Sequence, residues 1–168
     1  MQKNRYSEPE SYVIDTHALL WYLAEDESLG KKAKKVLERA DKGDVDIVIP
    51  TTVLAEALFI TEKHKVDLEF LDIIETIKNS SNYIINPLDL EVILKCHELK
   101  SIPELHDRII VATAILLDAK LITKDTTITN SGEVAVRLKD IRDPAIGGMP
   151  QLQQDPNEKF CMDCGARL

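Results

Sequence analysis

The chain has 168 residues, 44% hydrophobic and 30% charged, with a formal net charge of −8. These are the proportions of one globular domain large enough to bury a core. No apolar run reaches the roughly 18 residues of a membrane span, the polar opening over residues 1–10 has no apolar signal stretch, and three cysteines are too few for a disulfide framework, so a cytoplasmic protein is expected.

Residues 11–15, Ser-Tyr-Val-Ile-Asp, form the first predicted strand. It is apolar enough to be covered on both faces of a parallel sheet, and it runs out at Asp15 and Thr16. Residues 16–24 turn helical around Leu19, Leu20, Trp21 and Leu23. Ser28 is placed to cap a helix over residues 31–40, in which Ala33, Val36, Leu37 and Ala40 recur at helical spacing. A second β-branched strand over residues 46–49 ends at Pro50, after which Thr51 or Thr52 caps a helix carrying Glu56 on its second turn. Residues 67–78 make a further amphipathic helix with Leu68, Leu71, Ile74 and Ile77 as its expected buried side.

A third strand over residues 83–85 is closed by Asn86 and Pro87, and a helix over 88–99 holds Cys96, expected as an inert buried thiol. Beyond a loop around Pro103, His106, Asp107 and Arg108 open a helix to residue 117. Residues 120–125, Lys-Leu-Ile-Thr-Lys-Asp, then form a short strand ending on Asp125, and residues 134–138 are a candidate edge strand. Strands alternating with helices indicate a parallel sheet of four to five strands with helices on both faces. After residue 140 the glycines and prolines suggest a linker over 141–159, leading to a tail over 160–168 that contains Cys161-Met162-Asp163-Cys164-Gly165.

Four acids, Asp15, Glu56, Asp107 and Asp125, each fall at the carboxyl end of a predicted strand or in the first turns of the helix after it. In an open parallel sheet that edge is where ligands bind. Singly, each has an ordinary reading: Asp favours turns and caps, and a lone helical Glu is usually solvated. Together they would repel one another until some took up a proton or a cation joined them. Oxygen donors with few His or Cys favour Mg²⁺ or Mn²⁺, with Asp15, Asp107 and Asp125 as ligands. Such a site hydrolyses phosphodiesters by polarising phosphate and acidifying bound water. Thr16 and Thr123 would orient a carboxylate or donate to phosphate, and the start of a helix beneath Asp107 would help keep that acid charged. A net charge of −8 argues against binding nucleic acid by charge alone, but two divalent ions at an acid cluster would halve it. Of the four histidines, His17, His64, His97 and His106, only His106 is a candidate for the site, by its place beside Asp107.

The run Val13-Ile14-Asp15-Thr16-His17-Ala18-Leu19-Leu20-Trp21 resembles the opening of a PIN domain, especially in the ribonuclease toxins of VapBC toxin–antitoxin pairs. Ala55-Glu56 is similar to the second signature of that family, the run from Asp107 to Ala114 to the third, and Leu121-Ile122-Thr123-Lys124-Asp125 to the fourth. The resemblance spans residues 11–140. It implies a Rossmann-like α/β/α sandwich and a metal-dependent endoribonuclease with Asp15, Glu56, Asp107 and Asp125 as its acidic site. It also implies a homodimer silenced by an antitoxin protein. The tail departs from the toxins: Cys161-x-x-Cys164-Gly165 is similar to one knuckle of a zinc ribbon, two ligands of the four a structural Zn²⁺ needs. That feature admits a PIN nuclease of RNA maturation, and a non-catalytic RNA- or protein-binding PIN module is a further alternative.

Overall fold

Four β-branched stretches pair as strands: β1, Glu10–Ile14; β2, Val45–Pro50; β3, Tyr83–Asn86; and β4, Lys120–Ile122. A computed structural model describes residues 10–125 and residue 128. Every pairing is parallel, in the order β3-β2-β1-β4. Tyr12 lies opposite both Ile47 of β2 and Lys120 of β4, and Ile14 lies opposite Ile122. The expected sheet of four to five strands is therefore present with four among the described residues. The candidate strand at 134–138, residues 1–9 of the polar opening at 1–10, the linker at 141–159 and the tail at 160–168 lie outside them, and Glu10 belongs to β1.

Six helices fill the connections: α1, Thr16–Leu23; α2, Lys31–Asp41; α3, Thr51–Glu62; α4, Phe70–Asn79; α5, Leu90–Glu98; and α6, Leu105–Leu116. From β1 to β2 to β3 the chain steps one way across the sheet, and from β3 to β4 it steps back past two strands. Right-handed crossovers then put helices on both faces, giving the α/β/α sandwich. None of the described helices is long and apolar enough to cross a membrane.

The core forms where both faces of the central strands are covered. Val13, Ile14, Ile47, Ile49 and Leu121 are fully buried, and α6 adds Ile110, Val111, Ala112 and Ala114. Ala33, Val36, Leu37 and Ala40 are the buried stripe of α2, as their spacing requires. The strand β3 behaves differently: Ile84 and Ile85 are exposed, and among the described residues β3 pairs only with β2. Asp118, at φ 47, takes the left-handed conformation that ends α6 and releases the chain into β4.

Three local expectations are corrected. Ser28 does not cap α2; its N–H donates to Asp26 at 2.7 Å, and Gly30 starts the helix without a side-chain cap. Neither Thr51 nor Thr52 caps α3, because the helix begins at Thr51 itself, after Pro50. The buried residues of α4 are Ile73 and Ile77, whereas Leu71 is 76% exposed. Apolar residues lie on both sides of that helix, so their spacing did not single out the inner one.

Ile47→Ala, in the middle of β2, is expected to lower the unfolding free energy by about 2–5 kcal/mol, whereas Leu71→Ala should change it by less than about 0.5 kcal/mol. Urea unfolding of the two variants, followed by circular dichroism, checks both.

Candidate active site

The strand order reverses between β1 and β4, because the chain leaves β1 toward β2 on one side while β4 closes the other. A crevice opens at such a point, beyond the carboxyl ends of the two strands. Asp15 is the first residue past β1, and its backbone N–H extends the ladder to the carbonyl of Ile122 at 3.0 Å. Its side chain caps α1: Oδ1 accepts from the N–H of Ala18 at 2.7 Å. Only 8% of Asp15 is exposed. Burial pushes its carboxyl above the usual range, and the Thr123 hydroxyl, the Ala18 and Lys124 N–H groups and the charge of His17 offset part of that rise.

Thr123, just past β4, ties the edge together. Its hydroxyl donates to Asp15, and its oxygen accepts from the N–H of Asp125 at 3.0 Å. Asp125 is exposed, and its Oδ1 lies 3.4 Å from the N–H of Ile128. Asp107 stands in the first turn of α6, partly buried. Its carboxyl is pushed up to about 6, first by burial and then by the charge of Asp125, with Glu104 and Asp15 adding to the rise and His106 opposing it. A helix start favours an ionised Asp107, but loss of water and the neighbouring acids outweigh it.

Glu56, on the second turn of α3, is placed differently. One carboxylate oxygen lies 2.8 Å from Nε2 of His106. Burial raises its pKa, but hydrogen bonds from His106 and Thr16 and the charge of His106 outweigh that and leave it below the usual range. For His106, burial works against the charged ring, yet Glu56, Asp107 and Asp15 together hold its pKa above the ordinary value. Nδ1 of the ring lies 3.2 Å from the Thr52 hydroxyl, and Nε2 lies 3.4 Å from that of Thr16.

The predicted acids thus reach one edge of the sheet but divide. Asp107 feels the charges of Asp125 and Asp15, and Glu56 is engaged by a histidine. Thr16 and Thr123 each hold a carboxylate, that of Glu56 and that of Asp15. Thr52 carried only a capping expectation in the sequence; its contact with His106 spans 54 positions and leaves no local signature. The carboxylates offer hard oxygen donors, whose excess negative charge is expressed in the raised pKa of Asp107, and this chemistry suits Mg²⁺ or Mn²⁺. Among the described residues, no three His, Cys, Asp or Glu side chains are gathered closely enough to hold an ion as they stand. The fit is thus one of donor chemistry and charge. At the rim, the ring of His17 lies 5.6 Å from that of Trp21, and Lys124 lies 5.0 Å above the Trp21 ring. Cys161 and Cys164 fall outside the described residues.

The profile of the PIN domain matches residues 12–133. The chain belongs to the PIN domain family. Asp15, Glu56, Asp107 and Asp125 all fall within the matched PIN region. No curated protein matches the chain. Among solved structures it is similar to VapBC2 from Rickettsia felis, there bound to a DNA fragment from its promoter, with 19% identity and a TM-score of 0.57, over 74% of this chain and 95% of that one. It is also similar to FitAcB from Neisseria gonorrhoeae, with 16% identity and a TM-score of 0.52, over 74% of this chain and 94% of the other. At these identities the likeness is one of fold, and it agrees with the sheet and helices described above.

A folded-state pKa of about 6 for Asp107, against an ordinary 3.8, has a definite sign. The folded protein then holds a proton that the unfolded chain has lost, so in chelator the stabilising contribution is complete below about pH 4 and is lost as pH rises through about 6. Asp107→Asn removes this loss. Thermal unfolding in EDTA should give the variant a higher Tm than wild type at pH 7.5, with the gap closing toward pH 4.

Proposed function

We propose that the protein is a metal-dependent endoribonuclease, the toxin member of a toxin–antitoxin pair, acting in the cytoplasm. What supports this reading is that Asp15 and Asp125 lie just past β1 and β4, while Asp107, in the first turn of α6, is pushed up to about 6 by burial and then by the charges of Asp125, Glu104 and Asp15. Membership of the PIN family supports hydrolysis of nucleic acid, and the likeness in fold to VapBC2 supports the toxin role. A bound Mg²⁺ or Mn²⁺ supplies phosphate polarisation and a more acidic water.

The chain's own residues do the rest. Asp15, Asp107 and Asp125 would hold the ion. Thr123 fixes the Asp15 carboxylate, whose other hydrogen bonds come from the chain turning into α1 and past β4. Glu56 stays ionised beside His106 and keeps a carboxylate at the rim of the crevice, where it orders water. Lys124 and Trp21, at the same rim, offer a cation for a phosphate and a ring for a base.

The partners in this reading are RNA, an antitoxin segment laid over the acidic crevice, and a second copy of the chain. Support for a second copy comes from α5. Val92 and Cys96 are buried, while Leu90, Ile93 and Leu94 are exposed at helical spacing on another side, and an apolar stripe left in water is a contact surface. A nuclease of RNA maturation is the second reading. The Cys161-x-x-Cys164-Gly165 tail favours it, as a pair of thiolates for Zn²⁺ to be completed by other ligands.

Purified protein incubated with a mixed cellular RNA pool should cleave in Mg²⁺ or Mn²⁺ and not in EDTA, and Asp15→Asn or Asp107→Asn should slow cleavage by about 100-fold or more. Equal cleavage in EDTA, or full activity in both variants, would remove the assignment, and the identity of the cut RNAs separates toxin from maturation enzyme. Light scattering on a sizing column should give wild type twice the mass of the chain and the doubly substituted Leu90→Glu, Leu94→Glu protein the mass of one chain.

A further inference from the structure

We infer that His106 is a positioning residue of the active site: it ties Glu56 into a bridge across α1, α3 and α6, fixes its chain neighbour Asp107 at the crevice, and keeps Glu56 out of the metal-holding set. The inference deepens the metal-dependent nuclease reading and rests on it.

The first turn of α6 needs an anchor. Its N-cap, Glu104, makes no side-chain capping bond, so the helix start is not closed in the usual way. Arg108 is occupied behind it, donating through Nε to the carbonyl of Ile102 and through a terminal nitrogen to that of Pro103 at 3.3 Å. Those contacts hold the preceding loop. His106 is the side chain of this turn that reaches other elements: Glu56 and Thr52 on α3, at 2.8 and 3.2 Å, and Thr16 on α1, at 3.4 Å.

The bridge does not depend on the protonation state of the ring. A carboxylate only accepts, so Nε2 must carry the proton directed at Glu56. Nδ1 then accepts from the Thr52 hydroxyl when the ring is neutral and donates to it when the ring is charged. Thr16 also donates to Glu56, closing a triangle of Thr16, Glu56 and His106. Glu56 is thereby engaged by an imidazole and a hydroxyl, and an ion would have to compete with both for its oxygens. Asp107, next in the chain, takes its backbone position from the same anchor. Groups that orient a metal ligand in this way commonly change metal affinity by about 10–100-fold when removed.

The test uses the full chain and Mn²⁺ alone as probe, reading the Mn²⁺ concentration that gives half of the maximal rise in Tm. His106→Ala is expected to raise that midpoint about 10-fold. His106→Gln, whose amide can still donate to Glu56, should recover most of the loss. Glu56→Gln, whose amide oxygen still accepts from Nε2, should stay near the wild-type midpoint, far below Asp107→Asn. A purely structural His106 would lower the metal-free Tm and leave the midpoint where it is, and that result overturns the inference. So does a Glu56→Gln midpoint as high as that of Asp107→Asn, which would make Glu56 a ligand. If His106→Ala does not fold, Thr52→Val removes only the Nδ1 partner: a raised midpoint supports the bridge and an unchanged one refutes it. Absence of any Mn²⁺ effect on wild type would instead take down the metal-dependent reading, and this inference with it.

Discussion

The crowding of negative charge beyond β1 and β4 governs this molecule. Parallel pairing of Val13 with Leu121 and of Ile14 with Ile122 obliges the residues just past the two strands to share one edge. Those residues include Asp15 and Asp125, and the first turn of α6 adds Asp107. Carboxylates so placed lose water as well as gaining like-charged neighbours, and both effects favour the protonated form. The fold answers with local donors. Asp15 receives the Ala18 N–H and the Thr123 hydroxyl, and the same threonine oxygen takes the N–H of Asp125. These contacts fix where the charge sits without neutralising it, and Asp107 carries the remainder as a pKa near 6. Packing and hydrogen bonds thus hold these acids in place at the edge on which the proposed cation site rests.

Much of this could be read from the residues in order. Val-Ile followed by Asp-Thr, and Leu-Ile followed by Thr-Lys-Asp, are buried strands ending in polar groups, and in an α/β chain the carboxyl ends of neighbouring parallel strands lie together. The stripe of α2 was legible because its other side is almost wholly charged. In α4, apolar residues at 71, 73, 74 and 77 give no single direction, and the sheet chose Ile73 and Ile77. Capping failed at Ser28 and at Thr51 and Thr52 for a related reason. A hydroxyl is a good cap only if no better use is at hand, and here Thr51 accepts from the N–H of Leu88 while Thr52 meets His106. Both are contacts between distant segments, set by tertiary structure alone.

The same limit explains α5. Its sequence satisfies a helix with one buried face, and Val92 and Cys96 form it. Leu90, Ile93 and Leu94 are then exposed, as are Ile84 and Ile85 on β3, which among the described residues pairs only with β2. Periodicity gives the spacing of such residues but not which apolar side of a helix turns toward the sheet, so it could not assign them.

Glu56 shows why four acids gathered from one sequence need not form one set. Taken by spacing alone it belongs with the aspartates, since it rises from the same edge of the sheet. Its pKa moves in the opposite direction from that of Asp107, below the ordinary range instead of above it. Burial raises both; at Asp107 the charge of Asp125 adds to the rise, whereas at Glu56 the hydrogen bond and charge of His106, with Thr16, outweigh it. When the imidazole is charged, a pair of this kind adds little net charge to the crevice, whereas a fourth unpaired carboxylate would push Asp15 and Asp107 further toward protonation. Engaging Glu56 with an imidazole therefore keeps a carboxylate beside the crevice while sparing the aspartates its repulsion, and the same imidazole anchors the turn from which Asp107 projects. One side chain meets both requirements because His106 and Asp107 are adjacent in the chain, so any force that holds the ring also holds the backbone of the acid.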